Sequence, residues 1–306
     1  MISRRTFLAR VTALLLVCGA AVLSGCATRS SGAESDHLPI VFVHGNGDSG
    51  ALWQTTVWRF ESNGWPTAKL HAPDLPFPMA RDEDNRAQPG RTSTAEHMAF
   101  LKAEVETVLS RTGADKVILI GNSRGGNAIR NYIRNGGGEQ TVSHAILAGT
   151  PNHGIWAVKG MRENSEFSGT GPFLTGLNAP KTRNGDEVTQ EVKWLTIRSD
   201  NNDKYAQPDG LWIGSRGQPT NVSYRGPELR GATNVVLPGV DHRETGFAAA
   251  AFDAMYRFIT GEAPRTAEIE PSESLVLNGM IMGLGLTPTE PASGGYVNNL
   301  PLPGAT

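Results

Sequence analysis

Cysteine is nearly absent from this chain: its 306 residues include two, Cys18 and Cys26. Both fall near the start, so everything beyond them can hold neither a disulfide framework nor a thiolate metal site. A surplus of one charge sign is missing as well. The 28 basic and 30 acidic residues give a formal charge of −2, which argues against nucleic acid as the partner. Long apolar runs are scarce, and the stretch over 11–23 is too short for a comfortable membrane span. No internal repeat breaks the chain into units. What is there is an ordinary globular composition, 39% hydrophobic and 19% charged, at about the length of one large α/β domain. A domain of that size relies on its core rather than on cross-links.

The opening residues read as a targeting segment rather than as part of the fold. Ser3-Arg4-Arg5-Thr6-Phe7-Leu8 precedes the apolar stretch, which ends at Leu23-Ser24-Gly25-Cys26. Together they resemble a bacterial export signal of the twin-arginine type joined to a lipoprotein processing box. That resemblance implies removal of 1–25 and lipid attachment to the Cys26 thiol, with more than one acyl chain needed for stable anchoring. The alternative is an ordinary cleaved signal with an incidental cysteine. Without 1–25 the chain carries 25 basic and 30 acidic residues, a mildly acidic −5. The expected location is the bacterial cell envelope, held to the membrane through the anchor, with 26–37 as a small, polar tether.

Beyond the tether the pattern alternates. Pro39-Ile40-Val41-Phe42-Val43 is a short apolar run suited to a strand covered on both faces, and it ends in His44-Gly45-Asn46-Gly47-Asp48-Ser49-Gly50. A helix is expected over 52–62, a strand over 69–74 and a Pro- and charge-rich loop over 75–92. Ser93 with Glu96 makes a capping box; Met98, Leu101, Val105 and Val108 then recur at helical spacing until Gly113. A strand over 116–120 leads into a helix reaching about 135, with Ile129, Tyr132 and Ile133 on one side. Further strands are expected over 144–149, 192–198 and 234–237, and a closing helix over 244–260. This alternation implies an α/β fold, a mostly parallel sheet with helices on both faces, as one domain over 38–262. Ligands of such sheets sit at the carboxyl ends of the strands, where the loops after 43, 120, 149, 199 and 239 gather. The extension over 263–306 changes character. Its Ser274-Leu275-Val276-Leu277-Asn278 reads as the opening strand of a small β module, with a packed tail as the other reading.

Gly121-Asn122-Ser123-Arg124-Gly125 closes the strand over 116–120 and opens the helix after it. With 36 glycines in the chain, a G-x-S-x-G pattern arises by chance roughly one time in four, so the context decides. A sharp strand-to-helix turn lifts a serine hydroxyl clear of the backbone, and the crowding it creates demands glycine two residues to either side. The glycine-rich turn at His44-Gly45-Asn46-Gly47 can point backbone N–H groups at a developing oxyanion, with a second donor from the residue after the serine, Arg124. His44 itself reads as a loop-shaping residue. A base should follow the last strand, where Leu237-Pro238-Gly239-Val240-Asp241-His242 places His242; His37, His71, His97, His144 and His153 read as structural. An acid must orient that imidazole. On the residues alone, Asp200 and Asp203 in Ser199-Asp200-Asn201-Asn202-Asp203 are equally good choices, and Asp209 lies further out.

Val41-Phe-Val-His-Gly-Asn-Gly47, Gly121-Asn-Ser-Arg-Gly125, Leu147-Ala-Gly-Thr-Pro-Asn-His-Gly154, the Ser199…Asp203…Gln207-Pro208 segment and Gly239-Val-Asp-His242 together resemble the α/β-hydrolases. Within them they look most like small bacterial and fungal lipases and esterases, over about residues 38–262. The resemblance favours Asp203, which precedes a Gln-Pro pair, and implies oxyanion donors at the backbone N–H groups of Asn46 and Arg124. It implies hydrolysis of a small or lipid-like ester by Ser123, His242 and Asp203, with no cofactor or metal. An amidase, a thioesterase or a polyester depolymerase uses the same parts, and a non-catalytic surface lipoprotein is the reading from a different class. The long connection over 150–191 carries Trp156, Phe167, Phe173, Leu174 and Leu177. It reads as a cap with an apolar acyl-binding wall or as a packed excursion.

Overall fold

Six short apolar segments become six strands of one parallel sheet. The computed structural model describes residues 37–271 and two further short strands, Gly279–Met280 and Tyr296–Val297. The signal, Cys26, most of the tether and 274–278 lie outside the described residues. Along the chain the strands are β1 (Ile40–Val43), β2 (Leu70–His71), β3 (Val117–Asn122), β4 (Val142–Ala148), β5 (Lys193–Ser199) and β6 (Thr233–Leu237). Besides a four-residue helix at Gly138–Thr141, the α-helices are α1 (Gln54–Ser62), α2 (Thr94–Thr112), α3 (Arg124–Asn135), α4 (Pro172–Asn178), α5 (Glu244–Phe247) and α6 (Ala249–Thr260). The order across the sheet is β2-β1-β3-β4-β5-β6, every neighbour parallel.

Strand alternation divides the core into two layers. Val41, Val43, Val117, Leu119, Ala145 and Leu147 point to one face, where Leu101 and Val105 of α2 and Ile129 and Ile133 of α3 cover them. Ile40, Phe42, Ile118, Ile120, Ile146 and Ile197 point to the other, against Phe60 of α1 and Phe252 and Met255 of α6. Because both faces are covered, β1 and β3 are buried along their whole length and read as continuous apolar runs. Burying one Phe or Ile of this set contributes about 1.5–3 kcal/mol, so the layers rather than helix propensity hold the elements in place.

The capping box forms as expected: Ser93 Oγ accepts from the Glu96 N–H at 3.1 Å, and Glu96 Oε2 accepts from the Ser93 N–H at 2.7 Å. The Ser93 N–H foremost, and with it the Ser93 hydroxyl, donate to the Glu96 carboxyl and hold it below its ordinary pKa. Gly113, with φ of 69°, ends α2 in the left-handed conformation.

Three elements differ from expectation for identifiable reasons. The strand expected over 69–74 stops at His71: Pro73 has no N–H to give a ladder, and Asp74 Oδ1 accepts from the Gly50 N–H at 2.6 Å instead. The single closing helix is two, broken at Ala248 (ψ of 150°). Thr56 Oγ1 donates to Gly246 O and Arg59 Nη1 to Phe247 O, so α1 captures carbonyls that a continuous helix would have used internally. The packed body also runs past 262. Arg59 Nε donates to Ala267 O, Asn63 Nδ2 to Thr266 O, and the Glu270 N–H to Ser62 Oγ, fastening 265–270 along α1. Beyond that, Gly279–Met280 and Tyr296–Val297 pair antiparallel.

Candidate active site

The sheet order reverses between β1 and β3: from β1 the chain goes outward to β2, then returns to β3 on the other side. Loops leaving the carboxyl ends of β1 and β3 therefore diverge and leave a crevice, where open α/β sheets take their ligands. Ser123 stands at that point, between β3 and α3, with φ of 54° and ψ of −122°. For a residue with a Cβ this conformation is strained, by about 1–3 kcal/mol, and it is held by its surroundings. A Cβ at Gly121 would lie 2.8 Å from Gly125 C, and one at Gly125 would lie 2.3 Å from Val43 O. Only glycine at both positions lets β1, β3 and α3 approach closely enough to form the turn.

The β1 loop passes against this serine, since a Cβ at Gly45 would sit 3.0 Å from Ser123 Cβ. Asn46 follows, its Oδ1 accepting from the Ala80 N–H at 2.6 Å. Arg124 is the first residue of α3, where a backbone N–H has no partner within the helix. The His44 ring shapes the loop, as its sequence position suggests. Its Nε2 must accept from the Leu75 N–H at 3.0 Å, so Nδ1 carries the proton and donates to Gly45 O. Burial lowers the His44 pKa below 6.5, in keeping with that neutral form.

His242 lies beyond β6, buried, with Nδ1 2.9 Å from Asp203 Oδ2. A carboxylate accepts, so Nδ1 carries the proton and the Nε2 lone pair is left as the basic position; Nε2 is buried and hydrogen-bonded to no protein atom. The Tyr205 N–H donates to the other Asp203 oxygen at 2.8 Å, and the Tyr205 ring packs edge-to-face on the imidazole with centroids 4.6 Å apart. Asp200 goes elsewhere. It accepts from the N–H groups of Asn202 and Gly239 at the surface, and these bonds hold its carboxyl below the ordinary range. The serine and histidine segments are joined by Asn122, whose Nδ2 donates to Ala148 O and His242 O, both at 3.1 Å. The Ser123 N–H also donates to Ala148 O, at 2.9 Å.

Two features escape a reading of the sequence. The Arg124 side chain is 1% exposed and forms a bidentate pair with Glu166, 2.8 Å on each oxygen, while also donating to Pro78 O and Thr92 O. Burial pushes the Glu166 carboxyl upward and the guanidinium opposes it. Tyr205 is the other. Its part is set by loop path, and no pattern in the chain marks it.

The connection over 150–191 is folded tightly. Trp156, Leu174 and Leu177 are buried, so only Phe167 and Phe173 of the expected apolar wall stay partly open. Exposed apolar groups lie instead on two other loops. Met79 stands against the β1 loop at Gly47, and Trp212 shares Lys204 with Tyr205, the Nζ standing 5.2 and 5.1 Å from the two ring centres. A groove of about 750 Å³, lined by Leu75, Phe77, Arg91 and Phe100 among others, runs between the 75–92 loop and α2. Ser123, Asp203 and His242 do not line it. Among the described residues no cluster of His, Cys, Asp or Glu is arranged to hold a metal. None of the helices described there is long and apolar enough to cross a membrane.

Residues 37–158 match the family described as lipase (class 2). That stretch contains Asn46, Ser123 and Arg124, whereas Asp203 and His242 lie beyond it. Among solved structures, Bacillus licheniformis lipase BlEst2 in its propeptide form is similar at 19% identity and a TM-score of 0.51, covering 81% of this chain and 57% of that one. Aspergillus fumigatus lipase B is similar at 13% identity and a TM-score of 0.50, covering 76% and 55%. At such identities the likeness speaks for architecture. This chain has the α/β-hydrolase fold, and its residues 37–158 are similar to the class 2 lipases.

Proposed function

We propose that this protein is a serine hydrolase that cleaves carboxylic esters through an acyl-enzyme. The observation that carries the reading is the buried His242–Asp203 pair, tied through Asn122 to the strand end that bears a strained Ser123 at the switch point of the sheet. Ser123 Oγ attacks the ester carbonyl while His242 Nε2 takes its proton, and Asp203 holds the imidazolium that results. The backbone N–H groups of Asn46 and Arg124 receive the oxyanion. His242 then returns the proton to the departing alcohol, and a water activated by the same imidazole releases the acid. Met79 and Trp212 favour an apolar substrate portion near the site.

The test is a panel of p-nitrophenyl esters and matched anilides of graded acyl length, run with a fluorophosphonate probe. Ester turnover well above anilide turnover, with stoichiometric labelling of Ser123, is the expected result. No labelling and no turnover would leave the scaffold as a binding module. We propose further that the chain is held in the cell envelope by lipid on Cys26, on the strength of the Leu23-Ser24-Gly25-Cys26 box. A Cys26→Ala chain should then leave the membrane fraction, and its retention there would refute the anchor.

A further inference from the structure

Under that reading, two backbone amides must be held a fixed distance apart, yet they come from different loops. One belongs to Asn46 after β1 and the other to Arg124 after β3. Their own side chains both reach the same short stretch, 78–80. The Arg124 Nη1 donates to Pro78 O at 3.0 Å, and the Gly47 N–H donates to the same carbonyl at 3.2 Å. The Asn46 Oδ1 accepts from the Ala80 N–H at 2.6 Å. Arg124 Nη2 also donates to Thr92 O at 2.6 Å, and the Thr92 N–H donates to Met79 O at 2.9 Å, so the guanidinium grips this stretch from both sides. Glu166 then holds the guanidinium in plane through both its oxygens, itself only 3% exposed.

We infer that Glu166 is a positioning residue for the oxyanion site, acting through Arg124 and the 78–80 stretch to set the spacing of the Asn46 and Arg124 amides. A planar guanidinium locked by a bidentate carboxylate has one orientation, whereas an unpaired one can turn about its last bonds. Glu166 lies in the 150–191 connection, so that segment contributes to the chemistry without supplying a group that touches substrate. Such a role acts on the transition state. The oxyanion contacts are weak to a planar ester carbonyl and strong to the tetrahedral centre, so misplacing them lowers kcat and leaves KM.

The experiment uses the full chain, p-nitrophenyl esters and a trifluoromethyl ketone that forms a tetrahedral adduct with an active serine. Glu166→Gln is expected to lower kcat about ten- to hundred-fold, up to the cost of misplacing a catalytic group by about 1 Å and below that of losing an oxyanion donor outright. KM should stay within about two-fold, and ketone affinity should fall in parallel with kcat/KM. Asn46→Ala cuts the brace at the exposed end and leaves the buried charges alone, so it reports even if Glu166→Gln does not fold. It should show the same split. Labelling of the unsubstituted chain by a fluorophosphonate with unchanged kcat in Asn46→Ala, or in a folded Glu166→Gln, would overturn this inference alone. Absence of labelling in the unsubstituted chain would overturn the serine-hydrolase reading and this inference with it.

Discussion

Replacing Ser123 with alanine is expected to cut ester turnover on the order of a million-fold, with no acyl-enzyme formed and no fluorophosphonate label. The loss is large because nucleophile and base act as one unit: without the hydroxyl, the His242 lone pair has no proton to take. A residual rate from the oxyanion amides and substrate binding alone should survive. The serine is 9% exposed and its φ of 54° strains alanine as much as serine, so melting should change little and separate lost chemistry from lost fold. Turnover within ten-fold of the parent would end the proposal that Ser123 is the nucleophile.

Asp203→Asn should cost about ten-thousand-fold in kcat, second only to the serine. An asparagine in that place can turn its N–H toward His242 Nδ1. The ring would then carry its proton on Nε2, and the lone pair would face away from Ser123. Asp200→Asn is the control. Its oxygens cap a surface turn through the N–H groups of Asn202 and Gly239, and its loss should reduce kcat by less than about ten-fold. Steady-state rates on one ester decide the matter. A severe Asp200→Asn beside a mild Asp203→Asn would reverse the assignment of the acid.

The contrast between those two aspartates shows what the chain discloses on its own. The elbow is legible because its requirements are local: a strand, a serine and two glycines whose missing Cβ atoms the packing demands. The alternation of apolar runs likewise gives the sheet, because its inner strands β1 and β3 are buried along their whole length and are apolar nearly throughout. Asp200 and Asp203 stand three residues apart on a loop, and which one meets His242 depends on a turn fixed by the Tyr205 N–H and on the approach of β6. Glu166 is invisible for a similar reason. It stands 42 residues from Arg124 in a segment without periodicity, and a buried carboxylate there looks like any surface acid. The break at Ala248 has its cause in Thr56 and Arg59, about 190 positions earlier.

That last distance bears on how the molecule is made. Helix α1 and its C-cap Asn63 are fastened by Gly246, Phe247, Thr266, Ala267 and Glu270, partners lying 188 to 208 positions downstream. A ribosome must therefore deliver nearly the whole described body before these fastenings can close. Until then a growing polypeptide bares Phe42, Phe60 and Ile118, which pack in the layer that Phe252 completes, and is open to self-association.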